Sequence, residues 1–253
     1  MSLSKLSIIT VVKNDATALE LTLKSIDSQT YRDFEHIIID GDSNDGSVDI
    51  LKNFSSYTIK YISEIDSGIY DAMNKGLALA KSQWVLFINA GDRFVDKHAL
   101  QNWIAHCREE YHFIYCNIYR TQNYDLKKLW IQKPPFKFKW YRNICHQSIL
   151  YNTKMLGSFH YDTDYSISAD FHLLLKFLTQ KHGLSFCKVE QSFLEYKSGG
   201  VSQKFAMKAL FERWKSFNGL IENKYLKIWN LLNLSRQILR LFLVQKFSSI
   251  AKA

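Results

Sequence analysis

The stretch Trp84-Val85-Leu86-Phe87-Ile88-Asn89-Ala90-Gly91-Asp92 decides how the chain is read. Five consecutive apolar residues, rich in aromatic and branched types, predict a strand buried on both faces, as in a parallel sheet. The run stops at Asn-Ala-Gly-Asp, small residues for a tight turn and then a carboxylate at the strand's carboxyl end. In open α/β sheets that end is where ligands bind. Two readings of Asp92 are open at this point. It can hold a divalent cation, since Mg2+ takes one or two carboxylates together with substrate phosphates, or it can cap the turn or the following helix.

Upstream, the β-branched run Leu6–Val12 predicts a first, central strand. Asp15 is placed to cap a helix over 16–29, where Leu19, Leu23 and Ile26 recur at helical spacing. A second strand is expected over Phe34–Ile39, ending in Asp40 and a polar loop that opens a helix over Val48–Phe54. A third is expected over Ile59–Ile62, followed by the Asp66–Gly76 helical segment. Strand and helix alternating through short connections argue for βαβ units. Asp40 stands where Asp92 stands, at a strand's carboxyl end, and can accept a hydrogen bond from an imide or hydroxyl of a nucleotide. Asp42, Asn44 and Asp45 read as turn chemistry.

Beyond Asp92 the alternation weakens. A helix over 97–107, strands over Phe113–Tyr119 and Lys128–Gln132, and a short strand over 149–151 are expected. Pro134-Pro135 and the aromatic-basic segment Phe136–Arg142 interrupt them. A helix from Ser168 to Gln180 carries Asp170 in its first turn, where an anion is favoured whether or not it does chemistry.

The 253 residues are 47% hydrophobic, enough for one large α/β domain or a domain with an appendage. The four cysteines form no CxxC pair, which suggests neither a zinc site nor a disulfide framework and fits a reduced, cytosolic protein. No signal peptide or run long enough to span a bilayer is read. Residues 204–253 carry ten Lys/Arg and two Glu, a net +8 of the chain's +9. A neutral body with a basic tail points to an anionic surface for the tail rather than to nucleic acid for the whole protein. Without GxGxxG or GxxxxGK[ST], nicotinamide-cofactor and P-loop readings fall away.

The landmarks SIITVVKN (7–14), IIIDGDSNDGS (37–47), DSGIYDAMNKGLALA (66–80), WVLFINAGD (84–92), CHQSILY (145–151) and SADFHLLLK (168–176) arrive in an order that resembles family-2 glycosyltransferases. The likeness covers about residues 6–202 and is nearest to bacterial enzymes of O-antigen (lipopolysaccharide), exopolysaccharide and capsule assembly. It implies an α/β class with the GT-A, Rossmann-like fold: a mostly parallel sheet flanked by helices, here with a C-terminal helical extension. It implies a domain over 1–203, its nucleotide-sugar half at 1–92 and its acceptor half at 93–203, with a basic amphipathic extension at 204–253.

By that resemblance Thr10 and Asp40 contact nucleobase and ribose, and Asp66 helps close the nucleotide pocket. Asp92 is the last acid of a metal-binding DxD-type turn whose earlier acidic positions are Asn89 and Gly91 here. Those two are counted with the donor contacts, and His146 and Gln147 with donor or acceptor contacts. Asp170 corresponds to the base that receives the acceptor hydroxyl proton. The family's Asp-Asp-Gly loop reads Asp40-Gly41-Asp42, and Met73 stands where many relatives carry Arg. The activity implied is transfer from a nucleoside diphosphate sugar, uridine favoured, to a glycan or lipid-linked acceptor, with Mn2+ or Mg2+ as cofactor. One carboxylate for metal and one for base suit a single displacement with inversion.

Competing readings are a sugar nucleotidyltransferase and a non-catalytic nucleotide-sugar binder. The first wants a Gly-rich basic loop after the first strand, which Lys13-Asn14-Asp15 does not supply. In the tail, Ile228, Leu231, Leu234, Ile238 and Leu241 are expected to form one apolar helix face, with Lys227, Asn230, Asn233, Gln237 and Arg240 opposite. Such a helix fits peripheral docking on the inner face of the cell membrane. Its alternative is packing on the catalytic body or in a homodimer.

Overall fold

The computed structural model describes residues 5–122, 126–132, 144–157, 159–180 and 184–250. The Pro134-Pro135 segment and Phe136–Arg142 lie outside them. Two compact units emerge, Met1–Thr163 with Gly183–Ser198, and Asp164–His182 with Gly199–Ala253.

The first unit opens as β1 (Leu6–Val12), α1 (Ala16–Asp27), β2 (Phe34–Asp40), α2 (Ser47–Asn53), β3 (Ile59–Ser63), α3 (Ile69–Leu79) and β4 (Trp84–Phe87). All seven residues of β1 and all four of β4 are buried, as continuous apolar runs in a covered parallel sheet require. β1 pairs in parallel with β2 on one side and β4 on the other, and β2 pairs with β3, giving the order β3-β2-β1-β4. Strand order therefore reverses between β1 and β4, and a sheet of this kind binds its ligand in the crevice beyond that reversal. A Cβ on Gly76 of α3 would lie 2.5 Å from Cγ2 of Ile9, so α3 rests on β1 at a distance only glycine permits. Asp15 caps α1 as expected, its Oδ1 accepting the Ala18 N–H at 3.2 Å.

The same unit continues with β5 (Arg93–Phe94), α4 (Ala99–Ile104), β6 (Phe113–Gln122), β7 (Leu126–Trp130), a 3-10 turn at His146–Ser148, β8 (Ile149–Asn152), α5 (Thr153–Leu156) and β9 (Phe186–Lys197). The mostly parallel character holds for the first four strands. From β8 onward the sheet is mixed: β8 runs antiparallel to β4 and β6, β9 parallel to β6, and β5 antiparallel to β9. β9 and β5 are strands that the sequence pattern did not announce. β9 alternates charge with apolar residues, and its buried Glu195 is neutralised by Arg93 of β5 (2.6 Å) and by Lys127 of β7.

The second unit comprises α6 (Ala169–Gln180), α7 (Val201–Lys204), α8 (Ala206–Leu220) and α9 (Lys224–Ile250). Contacts thus group α6 with the C-terminal helices, across the boundary expected after residue 203. α9 packs along α8, and the anticipated apolar face does not stay together. Leu234 is buried and Ile238 half-buried, whereas Ile228 and Leu231 are exposed. Asn230, Asn233 and Lys227, expected on the water side, are half-buried. Apolar residues on α9 span a wider arc than one face, so the exposed stripe consists of Tyr225, Ile228, Leu232 and Leu239, beside Leu231. Among the described residues no helix is long and apolar enough to cross a membrane.

Candidate active site

Each site element in the first unit begins where a parallel strand ends. β2 delivers Asp40, whose side chain is fully buried. Its Oδ2 accepts the Ser43 N–H at 2.9 Å and the Ser63 hydroxyl at 2.7 Å, while Oδ1 is buried with no hydrogen-bond partner. The Asp66 loop closes over the same strand end. Asp66 Oδ1 accepts the Gly68 N–H at 3.0 Å, and a Cβ on Gly41 would sit 2.3 Å from Asp66 Oδ2. That close approach joins the two acidic loops. Asp45 does turn chemistry: it accepts from Ser47 at the start of α2 and from the Ala16 N–H at 2.8 Å.

After β4, the Asn89–Asp92 turn is pinned by Thr22 of α1. The Thr22 hydroxyl donates to the Asp92 carbonyl at 2.8 Å and accepts the Gly91 N–H at 2.9 Å. Gly91 has a φ of 97°, a left-handed conformation that favours glycine. Asp92, 3% exposed, accepts the Lys197 backbone N–H through Oδ1 at 3.0 Å. Its Oδ2 is buried without a partner, and so is Oδ1 of Asn89. Burial pushes the Asp92 pKa up to about 7, against the pull of the Lys197 and Asn89 backbone and the Gln147 side chain. Gln147 is oriented by the Cys145 thiol, which donates to its Oε1 at 2.8 Å. The Lys197 ammonium meets Asp15 at 2.9 Å, so the end of β9 closes onto the start of α1.

Asp40 and the Asn89–Asp92 turn therefore share one sheet edge, two strand spacings or about 10 Å apart. Asp66 and Gln147 join them, and His146 adjoins Gln147 while packing between Phe87 and Tyr161. Thr10 does not join them. It is fully buried within the sheet, its hydroxyl 2.9 Å from His36 Nε2, and His36 Nδ1 is 2.9 Å from the Tyr57 hydroxyl. Asp170 belongs to the second unit, in the first turn of α6. Thr22 and Lys197 went unnoticed in the sequence, although a lone threonine on the apolar face of α1 was a legible signal.

A βαβ sheet ordered 3-2-1-4, with a mixed second half and buried carboxylates bearing unfilled oxygens at its carboxyl edge, is the arrangement of a GT-A fold. Residues 7–173 match the pattern of Glycosyl transferase family 2, and the chain belongs to that family. It is 34% identical over 183 residues to a PGL/p-HBAD biosynthesis glycosyltransferase of Mycobacterium bovis, covering 67% of this chain and 68% of the relative. Among solved structures it is similar to Staphylococcus aureus TarS 1-349 in complex with UDP, with a TM-score of 0.63 and 16% identity over 91% of this chain and 70% of that one. A mannosyltransferase of Pyrobaculum calidifontis in complex with GDP-Man and Mn2+ superimposes with a TM-score of 0.65 and 15% identity, covering 98% of this chain and 81% of that one.

Proposed function

We propose that the enzyme transfers a sugar, with inversion, from a uridine diphosphate sugar to a lipid-linked or glycan acceptor during cell-surface polysaccharide assembly. The observation that carries the donor half is the pair of unfilled carboxylate oxygens, Asp40 Oδ1 and Asp92 Oδ2, at one sheet edge. Leaving a buried carboxyl oxygen without a hydrogen-bond partner is costly, and a ligand that supplies the partner recovers that cost. Asp40 takes a hydrogen bond from the nucleobase imide or ribose, with Asp66 closing over it.

A divalent cation fits the second position. Asp92 Oδ2 and Asn89 Oδ1 are hard oxygen donors, both unpartnered, and only part of a coordination shell, as Mg2+ and Mn2+ sites completed by diphosphate and water require. No group of three or more His, Cys, Asp or Glu side chains that could hold a metal occurs among the described residues, so Asp92 is the one carboxylate assigned to it. A cation held there by Asp92 and Asn89 would supply charge neutralisation for the leaving diphosphate. Lys197 and Gln147 hold the Asp92 carboxylate in place, Thr22 holds its turn, and Asp170 takes the proton of the acceptor hydroxyl.

The exposed stripe of α9, flanked by Lys224 and Arg236, supports docking on an anionic membrane where lipid-linked acceptors reside. The UDP in one structural neighbour and the PGL/p-HBAD relative support uridine and the surface-glycan setting; the GDP-Man neighbour makes guanosine the rival nucleobase. The test is thermal stabilisation by a panel of UDP- and GDP-sugars with and without Mn2+. A specific donor raises Tm by mass action, more with the metal. A panel that leaves Tm unmoved overturns the reading.

A further inference from the structure

The turn that carries Asp170 is held in part from downstream of the family-matched span, by α8. Glu212 is 8% exposed and gives both carboxylate oxygens to the turn that starts α6. Oε2 accepts the backbone N–H groups of Ile167 at 2.8 Å and Ser168 at 2.9 Å, and Oε1 accepts the Ser166 hydroxyl at 3.1 Å. Around this clamp the Ser168 hydroxyl donates to the Ala209 carbonyl at 3.3 Å, and the His172 ring meets the Ser216 hydroxyl at 3.0 Å. The Ser168 carbonyl accepts the His172 N–H at 3.0 Å, the first bond of the helix. Only Ala169 lies between the last clamped amide, that of Ser168, and Asp170, too short a span of helical backbone to move independently.

We propose that Glu212 is a positioning residue for the transfer reaction: by clamping Ser166–Ser168 it sets where the Asp170 carboxylate stands. The inference rests on the reading of Asp170 as the base. A carboxylate with three donors is tolerated in a buried setting, and its bonds are stronger and more directional than those of a neutral acceptor. Small displacements of a base lower the rate steeply without weakening donor binding. A glutamine has the same shape but no charge, and only one of its two terminal atoms accepts, so Glu212→Gln weakens the clamp while leaving the packing of α8.

The experiment is a double-variant cycle on the full chain, reading release of nucleoside diphosphate from the best-used member of a panel of UDP-glucose, UDP-galactose, UDP-GlcNAc and GDP-mannose. Glu212→Gln is expected to lower kcat about 10- to 100-fold, with the donor KM within about twofold of wild type. In an Asp170→Asn background the same substitution is expected to cost nothing further, because the group it positions is already gone. A purely structural role would multiply both backgrounds equally, and that result overturns the proposal. Wild-type turnover by Glu212→Gln, with Asp170→Asn inactive, also overturns it while leaving the base assignment standing. Wild-type turnover by Asp170→Asn, or no donor used at all, sinks the functional reading, and the proposal with it. Should Glu212→Gln not fold, Glu212→Asp, which keeps the charge but falls one methylene short, goes through the same cycle under the same criteria.

Discussion

Carboxylates at the ends of strands and carboxylates at the start of a helix are treated in opposite ways in this molecule. Asp40 and Asp92, at the carboxyl ends of β2 and β4, are each buried with one oxygen engaged and one left unfilled. Glu212, beside the start of α6, has both oxygens engaged by three donors. An unfilled oxygen in a buried carboxylate costs native-state stability, a cost that a ligand supplying the partner would recover. A fully engaged one contributes stability and marks a place where the chain holds itself. The same chemical group is thus left incomplete in one unit and fully engaged in the other.

The strongest test of that contrast is Asp92→Ala, which should abolish transfer and metal-dependent donor binding, a loss of three orders of magnitude or more. Retention of about a tenth of the activity, a barrier change of only about 1.4 kcal/mol, removes Asp92 from the metal site. Asp170→Asn comes next, with turnover lowered about two to four orders and donor affinity intact. A parallel loss of donor affinity would make Asp170 a binding residue. Asp40→Ala should then weaken free nucleoside diphosphate by about 1.5–3 kcal/mol, even without metal. Unchanged affinity by calorimetry moves the nucleobase elsewhere.

A smaller effect follows from protons. Because Asp92 is raised to about 7 in the native state, the ligand-free protein holds a proton there that the unfolded chain gives up near its ordinary carboxylate value. Its contribution is therefore present at low pH and lost as pH rises from about 4 to about 7, at most about 2 kcal/mol between pH 5.5 and 7. Comparing Tm for wild type and Asp92→Asn across that interval isolates it. His36, pushed down to about 3 by burial, acts in the opposite sense as pH falls below its ordinary value, but it is common to both proteins. A difference that does not change with pH would show that Asp92 is ionised in the native state.

What could be read beforehand and what could not also follows the two halves of the sheet. Leu6–Val12 and Phe34–Asp40 are continuous apolar strands between helical repeats, so their limits, their parallel pairing and the carboxylate at the second one's end are local properties. Phe186–Lys197 hides because Lys188, Glu190, Glu195 and Lys197 make it look like a solvated loop. Burial of Glu195 makes sense only with Arg93 and Lys127, which lie 102 and 68 residues earlier in the chain. Asp170 at a helix start was legible from spacing alone, whereas its Glu212 clamp, 44 residues beyond Ser168, was not. The face of α9 was misdrawn for a related reason: an apolar stripe says that something is covered, but the side that α8 covers is a tertiary fact.

The placement of β9 has a consequence for how the protein is born. β6 pairs with β9 over Phe113–Thr121, and among the described residues β5 pairs with β9 alone, so the pairing of Arg93 and Phe94 waits until residues 194–195 exist. At roughly 5–20 residues per second of synthesis, the parallel half is complete for some seconds while one edge of β6 stays open. An open strand edge on a nascent chain is where misassembly starts. A ribosome that slows between residues 122 and 197 would lengthen that exposure, and the yield of soluble enzyme should depend on codon choice in that interval more than anywhere upstream.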